Sequence, residues 1–525
     1  MVNSEINTVY KHLRKNFIRI ALVYPSSYEV MSSSLAIHIL YYLLNETYEE
    51  VYVERFHAGK LNNFEQEARS IETNTPLSKF DLIITSLHYE PDIAKFIRLL
   101  YYSRVEPRRF LREKTVIAGG PLIIANPKPF SDFFDVMIVG EIEETICKII
   151  NTWLMYRDNK KVFLEEVSKL EYTYIPGVDE RDKLIYKNYT KNLDQSYYPI
   201  KQFYSLDREP VFGKGFILET SRGCRFWCRF CLEGRIFNPY RLRSYSILKE
   251  LVDKGLSVNK LNRVIIYSLI YPSSVDEKRI LEYIVDNNLK CSIPSIRIDL
   301  LDKDTIELIK NTGQKTISIA PESFNNSIQR LICKYCNLDK IIDKIYELIE
   351  QGFDLKMYLI YGFKNEKIED IYKNIDVIRS IAKKAREKKT KVKISINPLI
   401  PKPWTVFQWI GMIDLDKAIK ILALYRRELN ELVETRPLDI NWSWVQASIA
   451  LADEYIGKLL LEWSIEGGDL GSWRRVIKRN NYSTQYVFKG YRYGDKLPWS
   501  NIVLDPITNK LCEKEYEILK NIFRE

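Results

Sequence analysis

The chain has 525 residues, 79 Lys and Arg against 69 Asp and Glu for a net charge of +10, and 46% hydrophobic residues. That length calls for two or three domains, and the balance fits a soluble globular protein rather than a disordered or fibrous one. No run of about 18 uncharged apolar residues occurs, which excludes a membrane-spanning helix, and "MVNSEINTVYKHLRKNF" has no signal-peptide core, so the cytoplasm is the expected compartment.

In chain order, "FIRIALVYP" (17–25) reads as a buried strand followed by a helical pattern from Ser33 to Asn45. "FDLIITSLHYE" (80–90), "KTVIAGGP" (114–121) and "FDVMIVGE" (134–141) repeat the strand signal. Continuous apolar strands separated by helices imply a parallel, doubly wound sheet, here assigned to residues 1–155. Its carboxyl edge, where open parallel sheets bind ligands, carries Ser86, Gly119, Gly120 and Gly140; the paired glycines let backbone approach a bulky ligand. Residues 156–212 are tyrosine- and charge-rich and read as a connector.

From residue 213 a second α/β series begins with "GFILETS" (215–221). It continues through "RVIIYSL" (263–269), "CSIPSIRID" (291–299), "KTISIAPES" (315–323), "LKMYLIYGF" (355–363) and "KVKISINPLIP" (391–401). Six strands alternating with helices predict a partial or full barrel over 213–412, with its site at the C-terminal face. Residues 413–525 turn helical, and the tryptophan-rich tail is expected to pack on the barrel. The scattered lysines read as solvated helix faces, with contact to an anionic membrane surface as the alternative; nucleic acid is not expected as a partner.

Eight cysteines in a chain of this length do not make a disulfide framework. Three of them, Cys224, Cys228 and Cys231, stand in "ETSRGCRFWCRFC" (219–231), directly after a predicted strand. Structural zinc takes four ligands, usually as two separated pairs. A lone C-x3-C-x2-C loop instead matches three irons of a [4Fe–4S] cluster, leaving the fourth iron open to a small molecule, whereas cluster-only electron carriers normally have four protein ligands. Arg222, Arg225 and Arg229 are expected to offset the thiolates and bind a carboxylate, and Phe226 and Trp227 to shield them. Cys333 and Cys336, in "LICKYC", read as incidental thiols.

The C-x3-C-x2-C loop resembles the signature of the radical S-adenosylmethionine (SAM) superfamily. The likeness extends through "FCLEGRIFNPYRLRS" (230–244), "SIPSIRID" (292–299), "GQKTISIAPES" (313–323) and "INPLIPKPWTVFQW" (396–409). With "IALVYPSSYEVMSSS" and "LPWSNIV" (497–503), the chain is similar to a subgroup whose barrel follows a cobalamin-binding-like domain. The resemblance implies a SAM-bound [4Fe–4S] cluster, a partial (β/α)6 barrel, and SAM contacts from Ser295, Arg297, Glu322 and Gly362. The Gly-Gly-Glu that often binds the SAM amine is replaced by "IIYSLIYPSS", where Ser268, Ser273 or Ser274 stands in.

For cobalamin the implication is divided. Asp-x-His-x-x-Gly is absent after the first strand, and His38 reads as a helix residue satisfied within the fold; yet Gly119 and Gly120 suit a bulky cofactor. The implied reaction is hydrogen abstraction from an unactivated carbon, followed by methyl transfer or carbon–carbon bond formation, with a ferredoxin- or flavodoxin-type electron donor. The substrate is a small molecule or a lipid. One alternative is ring formation in archaeal tetraether membrane lipids; another is a non-enzymatic iron–sulfur redox or scaffold protein. A tRNA methylthiolating enzyme would need a second three-cysteine cluster in its N-terminal part, where only Cys147 occurs.

Overall fold

The computed structural model describes residues 5–12, 17–59, 66–179, 183–335 and 337–523. The first sheet is built on strands β1 (Ile18–Tyr24), β2 (Val51–His57), β3 (Leu82–Ser86), β4 (Thr115–Gly119), β5 (Val136–Ile138) and β6 (Thr173–Tyr174), in the spatial order β2-β1-β3-β4-β5-β6. The first five are mutually parallel and β6 is antiparallel at the edge. β1, apart from Arg19, and the first three residues of β3 are apolar because helices cover both faces of the sheet. α1 (Leu35–Thr47) and α2 (Asp92–Tyr102) are two of those helices. The sixth strand comes from the stretch read as a connector: two residues sufficed to extend the sheet, too few for an apolar pattern to show.

The barrel strands are β7 (Phe216–Glu219), β8 (Arg263–Tyr267), β9 (Lys290–Ser292), β10 (Thr316–Glu322), β11 (Asp354–Tyr361) and β12 (Val392–Pro398), joined by a short β13 (Glu434–Thr435). All pairings among them are parallel. β11 and β12 alternate strictly, with Leu355, Met357, Leu359 and Tyr361 buried along β11. α3 (Leu338–Glu350) answers with Leu338, Ile341, Ile345, Leu348 and Ile349, one stripe at the helical period, and the Asn337 side chain caps its first turn by accepting from the Lys340 N–H.

The sheet has a seam. The third strand, expected over 291–299, stops at Ser292. Pro294, which has no N–H to give, interrupts it. Across the gap to β10 stand one bridge, Ile296 to Ile319, and the Gln314 amide, which accepts from the Ile293 N–H at 2.8 Å and donates to the Ile293 carbonyl at 3.2 Å.

The tail departs most from expectation. Trp463, Trp473 and Trp499 are fully buried, and they share a core with Phe96, Leu99 and Phe133 of the first domain. Arg98 of α2 donates to the Ser464 carbonyl at 2.9 Å, and the Asn126 amide donates to the Ala450 and Ala452 carbonyls at 3.0 and 2.8 Å. The tail therefore clasps the first domain as well as the barrel, which it meets at Met412, whose N–H reaches the Val487 carbonyl. The outer face of α2 is apolar and needed a cover. No described helix is long and apolar enough to cross a membrane.

Candidate active site

β7 delivers the chain to the cysteine loop. Gly223 turns it at φ +84°, where a Cβ would stand 2.7 Å from the carbonyl oxygens of Phe237 and Pro239, so glycine is required. Asn238 then ties the loop's two ends: its Oδ1 accepts from the Cys224 N–H at 3.3 Å and its Nδ2 donates to the Gly234 carbonyl at 2.6 Å. The Cys231 N–H donates to the Cys228 carbonyl at 3.0 Å, and the Gly234 N–H points at Cys231 Sγ at 3.4 Å. Cys228 is buried and the other two thiols are half-buried.

This donor set fits an iron–sulfur cluster. Burial pushes the Cys231 thiol up to about 12, with help from the Glu233 carboxylate, and raises Cys224 as well. Three ionised thiols there need strongly cationic partners, which irons supply. Among the described residues no three His, Cys, Asp or Glu side chains converge on a single-ion position; a cluster bound through three separate irons does not ask them to.

The charges around the loop are not the ones expected from sequence proximity. Arg222 turns away from the thiols to bind Glu219, Glu141 and Glu143 at 2.8, 2.8 and 2.6 Å. Arg229 donates to the Arg330 and Leu331 carbonyls at 2.9 and 3.0 Å, and Arg225 is exposed. Carbonyls and buried carboxylates compete better for these guanidiniums than the loop they flank. Among the described residues, the cation that stands beside a loop sulfur is Arg297: its Nη1 is 3.7 Å from Cys228 Sγ and its guanidinium lies 3.6 Å over the Phe226 ring. It also pairs with Asp299 at 2.9 Å and donates to the Lys334 carbonyl.

Lys334 itself was not visible as a site residue. It is half-buried beside Glu322 at 2.7 Å. Burial works against its ammonium, but the Glu322 carboxylate holds it above the usual lysine range. Its signal was hidden in "LICKYC", where the cysteines draw the eye. Cys333 is exposed, and Cys336 lies outside the described residues.

Of the other expected contacts, Glu322 ends β10 with φ +63° and is thus brought to Arg297 through Lys334. Ser295 is exposed just past β9. Gly362 follows β11 at φ +86°, its N–H already given to the Glu366 carboxyl at 2.6 Å. Ser273 and Ser274 are spent on Glu277 at the start of the following helix, whereas Ser268 pairs with Ser221 at 2.7 Å.

The carboxyl edges of the two sheets face each other across a cavity of about 680 Å³. Thr85, Ser86, Gly119 and Gly120 line it from the first domain; Ser221, Gly223, Glu233, Tyr267 and Ser268 line it from the barrel and the cysteine loop. Most of the remaining wall is apolar, including Ile39, Leu40, Ile84, Ile117 and Ile138. At its base, Arg222, Arg241 and Arg243 neutralise Glu141 and Glu219, holding both carboxyls below their usual range although burial pushes the other way. His38 is buried within α1, its Nε2 3.0 Å from the Ser32 carbonyl but its Nδ1 without a hydrogen-bond partner among the described residues, so the fold satisfies only one of its ring nitrogens. His88, which the sequence did not single out, lies on the cavity wall instead.

Family models match two stretches: "Radical SAM proteins, N-terminal" over residues 36–176 and "Radical SAM superfamily" over residues 218–378. The chain is 31% identical over 491 residues to the uncharacterized protein MJ0966 of Methanocaldococcus jannaschii, covering 92% of this chain and 98% of that one. It is 24% identical over 265 residues to the putative methylthiotransferase MJ0865 of the same organism, covering 46% of this chain and 52% of that one. Among solved structures it is similar to the cobalamin-dependent S-adenosylmethionine radical enzyme OxsB with aqua-cobalamin and S-adenosylmethionine bound, at 13% identity and TM-score 0.45, over 96% of this chain and 80% of that one.

Proposed function

Because the chain belongs to the radical SAM superfamily, we propose that it is an enzyme that brings SAM, a corrinoid and an apolar substrate together in the cavity between its two sheets, and functionalises an unactivated carbon there. The observation that carries the reading is the cavity's double wall: Gly223 and Glu233 of the cysteine loop on one side, Gly119 and Gly120 at the first sheet's carboxyl edge on the other. When bound, a [4Fe–4S] cluster on Cys224, Cys228 and Cys231 supplies the electron that breaks a carbon–sulfur bond of SAM, and a corrinoid supplies a carrier for a methyl group.

The chain's own residues do the rest. Asn238 and the Gly234 N–H fix the loop and one sulfur. Arg297 keeps a positive charge at Cys228 without a proton to lose. The Glu322–Lys334 pair, at the end of β10, offers one group of each sign to the amine and carboxylate of an amino acid. Ser295 is open to the same ligand, and Phe226 screens the loop from water. The corrinoid fits the first domain: Gly119 has no heavy atom within 4 Å of the position a Cβ would take, and the Thr85 hydroxyl is buried without a hydrogen-bond partner. A ferredoxin- or flavodoxin-type protein is the proposed electron donor.

Anaerobic reconstitution with iron and sulfide, then SAM and dithionite, tests the reading. The chain should release 5′-deoxyadenosine, and Cys228→Ala should lose both the iron and the product. Iron content and SAM cleavage intact in Cys228→Ala would sink it. The apolar wall favours carbon–carbon coupling in an alkyl chain as a second reading. 5′-Deoxyadenosine alone would mark that outcome; its appearance with S-adenosylhomocysteine would mark methylation.

A further inference from the structure

We propose that His88 is the nitrogen ligand that the first domain presents to the metal of a corrinoid in the cavity, an inference that rests on the cavity reading above. Two observations carry it.

The first is place. In the order β2-β1-β3-β4 the connections leave β1 and β3 in opposite directions, so the loops after these two strands part and open a crevice at their carboxyl ends. Tyr24 ends β1 and His88 follows β3; their rings stand 5.6 Å apart across that crevice. The loop after β1 contains no ligating histidine. The fold brings one to the same crevice from the neighbouring strand.

The second is availability. The other polar groups of the wall are mostly engaged: Glu141, Glu143 and Glu219 by arginines, Tyr267 by the Ser33 carbonyl, Ser221 and Ser268 by each other. Of the His88 ring, Nε2 is held by Ser86 Oγ at 2.9 Å, and Nδ1 has no hydrogen-bond partner among the described residues. An imidazole with one nitrogen anchored and the other free is the arrangement in which histidine ligates metals. Glu233, whose carboxylate makes no ion pair among the described residues, is on the opposite wall and is a hard oxygen donor.

The test uses cobinamide, a corrinoid without its own nucleotide base, so that any nitrogen on the cobalt is the protein's. The full chain, its cluster reconstituted and left oxidised and diamagnetic, is loaded with cob(II)inamide and examined by electron paramagnetic resonance. Each resolved cobalt line should split into three from one 14N, and into two in protein grown with 15N-histidine. His88→Ala should lose the splitting and bind cobinamide at least about tenfold more weakly; added imidazole should restore the triplet. His38→Ala, altered in the buried helix, should keep it. An unsplit spectrum from the unaltered chain, or splitting that survives in His88→Ala, overturns the proposal, as does failure of the unaltered chain to bind cobinamide. SAM cleavage by the same samples separates the failures: 5′-deoxyadenosine with an unsplit signal removes His88 alone, and no 5′-deoxyadenosine removes the enzymatic reading beneath it.

Discussion

Glu366 is a residue whose chemistry runs against its surroundings. Its Oε2 accepts the Gly362 N–H, while Oε1 is buried without a hydrogen-bond partner. Burial pushes the carboxyl up to about 7 from an ordinary 4.5. The folded pKa lies above the unfolded one, so this group's contribution to stability is fully present below pH 4.5 and is lost as pH rises through about 7. The difference amounts to roughly 3 kcal/mol at pH 8. Glu366→Gln should therefore melt at a higher temperature than the unaltered chain at pH 8 and at nearly the same temperature at pH 4.5, as thermal denaturation at the two values would show. An equal shift at both would contradict it. Site residues of this kind divide by how they could be found. Cys224, Cys228 and Cys231 were legible because a loop of eight residues fixes their spacing by chain geometry alone. Lys334 and His88 were not: Glu322 reaches Lys334 from the end of β10, and the Tyr24 ring faces His88 from β1. Arg222 and Arg229 were misread for the converse reason: closeness along the chain is not closeness to the sulfurs when carboxylates and carbonyls lie nearer.

At the scale of elements, β1, β3 and β4 announced themselves through the apolar runs IALVY, LII and VIA, which burial on both faces explains. β6 did not, being two residues long, and β9 was overdrawn because β-branched residues on either side of Pro294 masked the break. The turn after β4 separates binding from folding. Gly120 sits at φ +100°, and a Cβ there would lie 2.6 Å from the Leu87 carbonyl oxygen. Gly119 beside it has open space on that side. Gly120→Ala should destabilise the first domain by a few kcal/mol, on the order expected of strained backbone plus a clash. Gly119→Ala should fold normally, yet weaken corrinoid binding by narrowing the cavity. Melting curves alongside cobinamide titrations of the two variants check this; equal effects on both properties would refute it.

Across the whole molecule, the two domains are bound by charge at the cavity's base and by apolar packing at the tail. Arg222 reaches one carboxylate of the barrel and two of the first domain. Removing it leaves Glu143 without a cation, while Glu141 and Glu219 keep Arg241 and Arg243; the loss is expected at or below the roughly 3–5 kcal/mol of a broken buried pair. Arg222→Met should thus lower the melting temperature and the iron retained on purification together; loss of iron alone would mean that Arg222 serves the cysteine loop and not the join. None of this join was readable in the chain, since helical periodicity says that the tail has apolar faces but not which neighbour they meet. The tryptophans, expected to pack on the barrel, are core against α2.

The seam between β9 and β10 has a consequence for how the protein comes apart. A sheet stitched there by one bridge and one glutamine amide has little to resist local opening, and Arg297, one residue beyond the bridge, is the cation beside Cys228. Sub-global unfolding at residues 290–297 should precede the global transition, so amide protons there should exchange with solvent sooner than those of β11. In mild denaturant, metal should then be shed from a molecule that still holds most of its secondary structure.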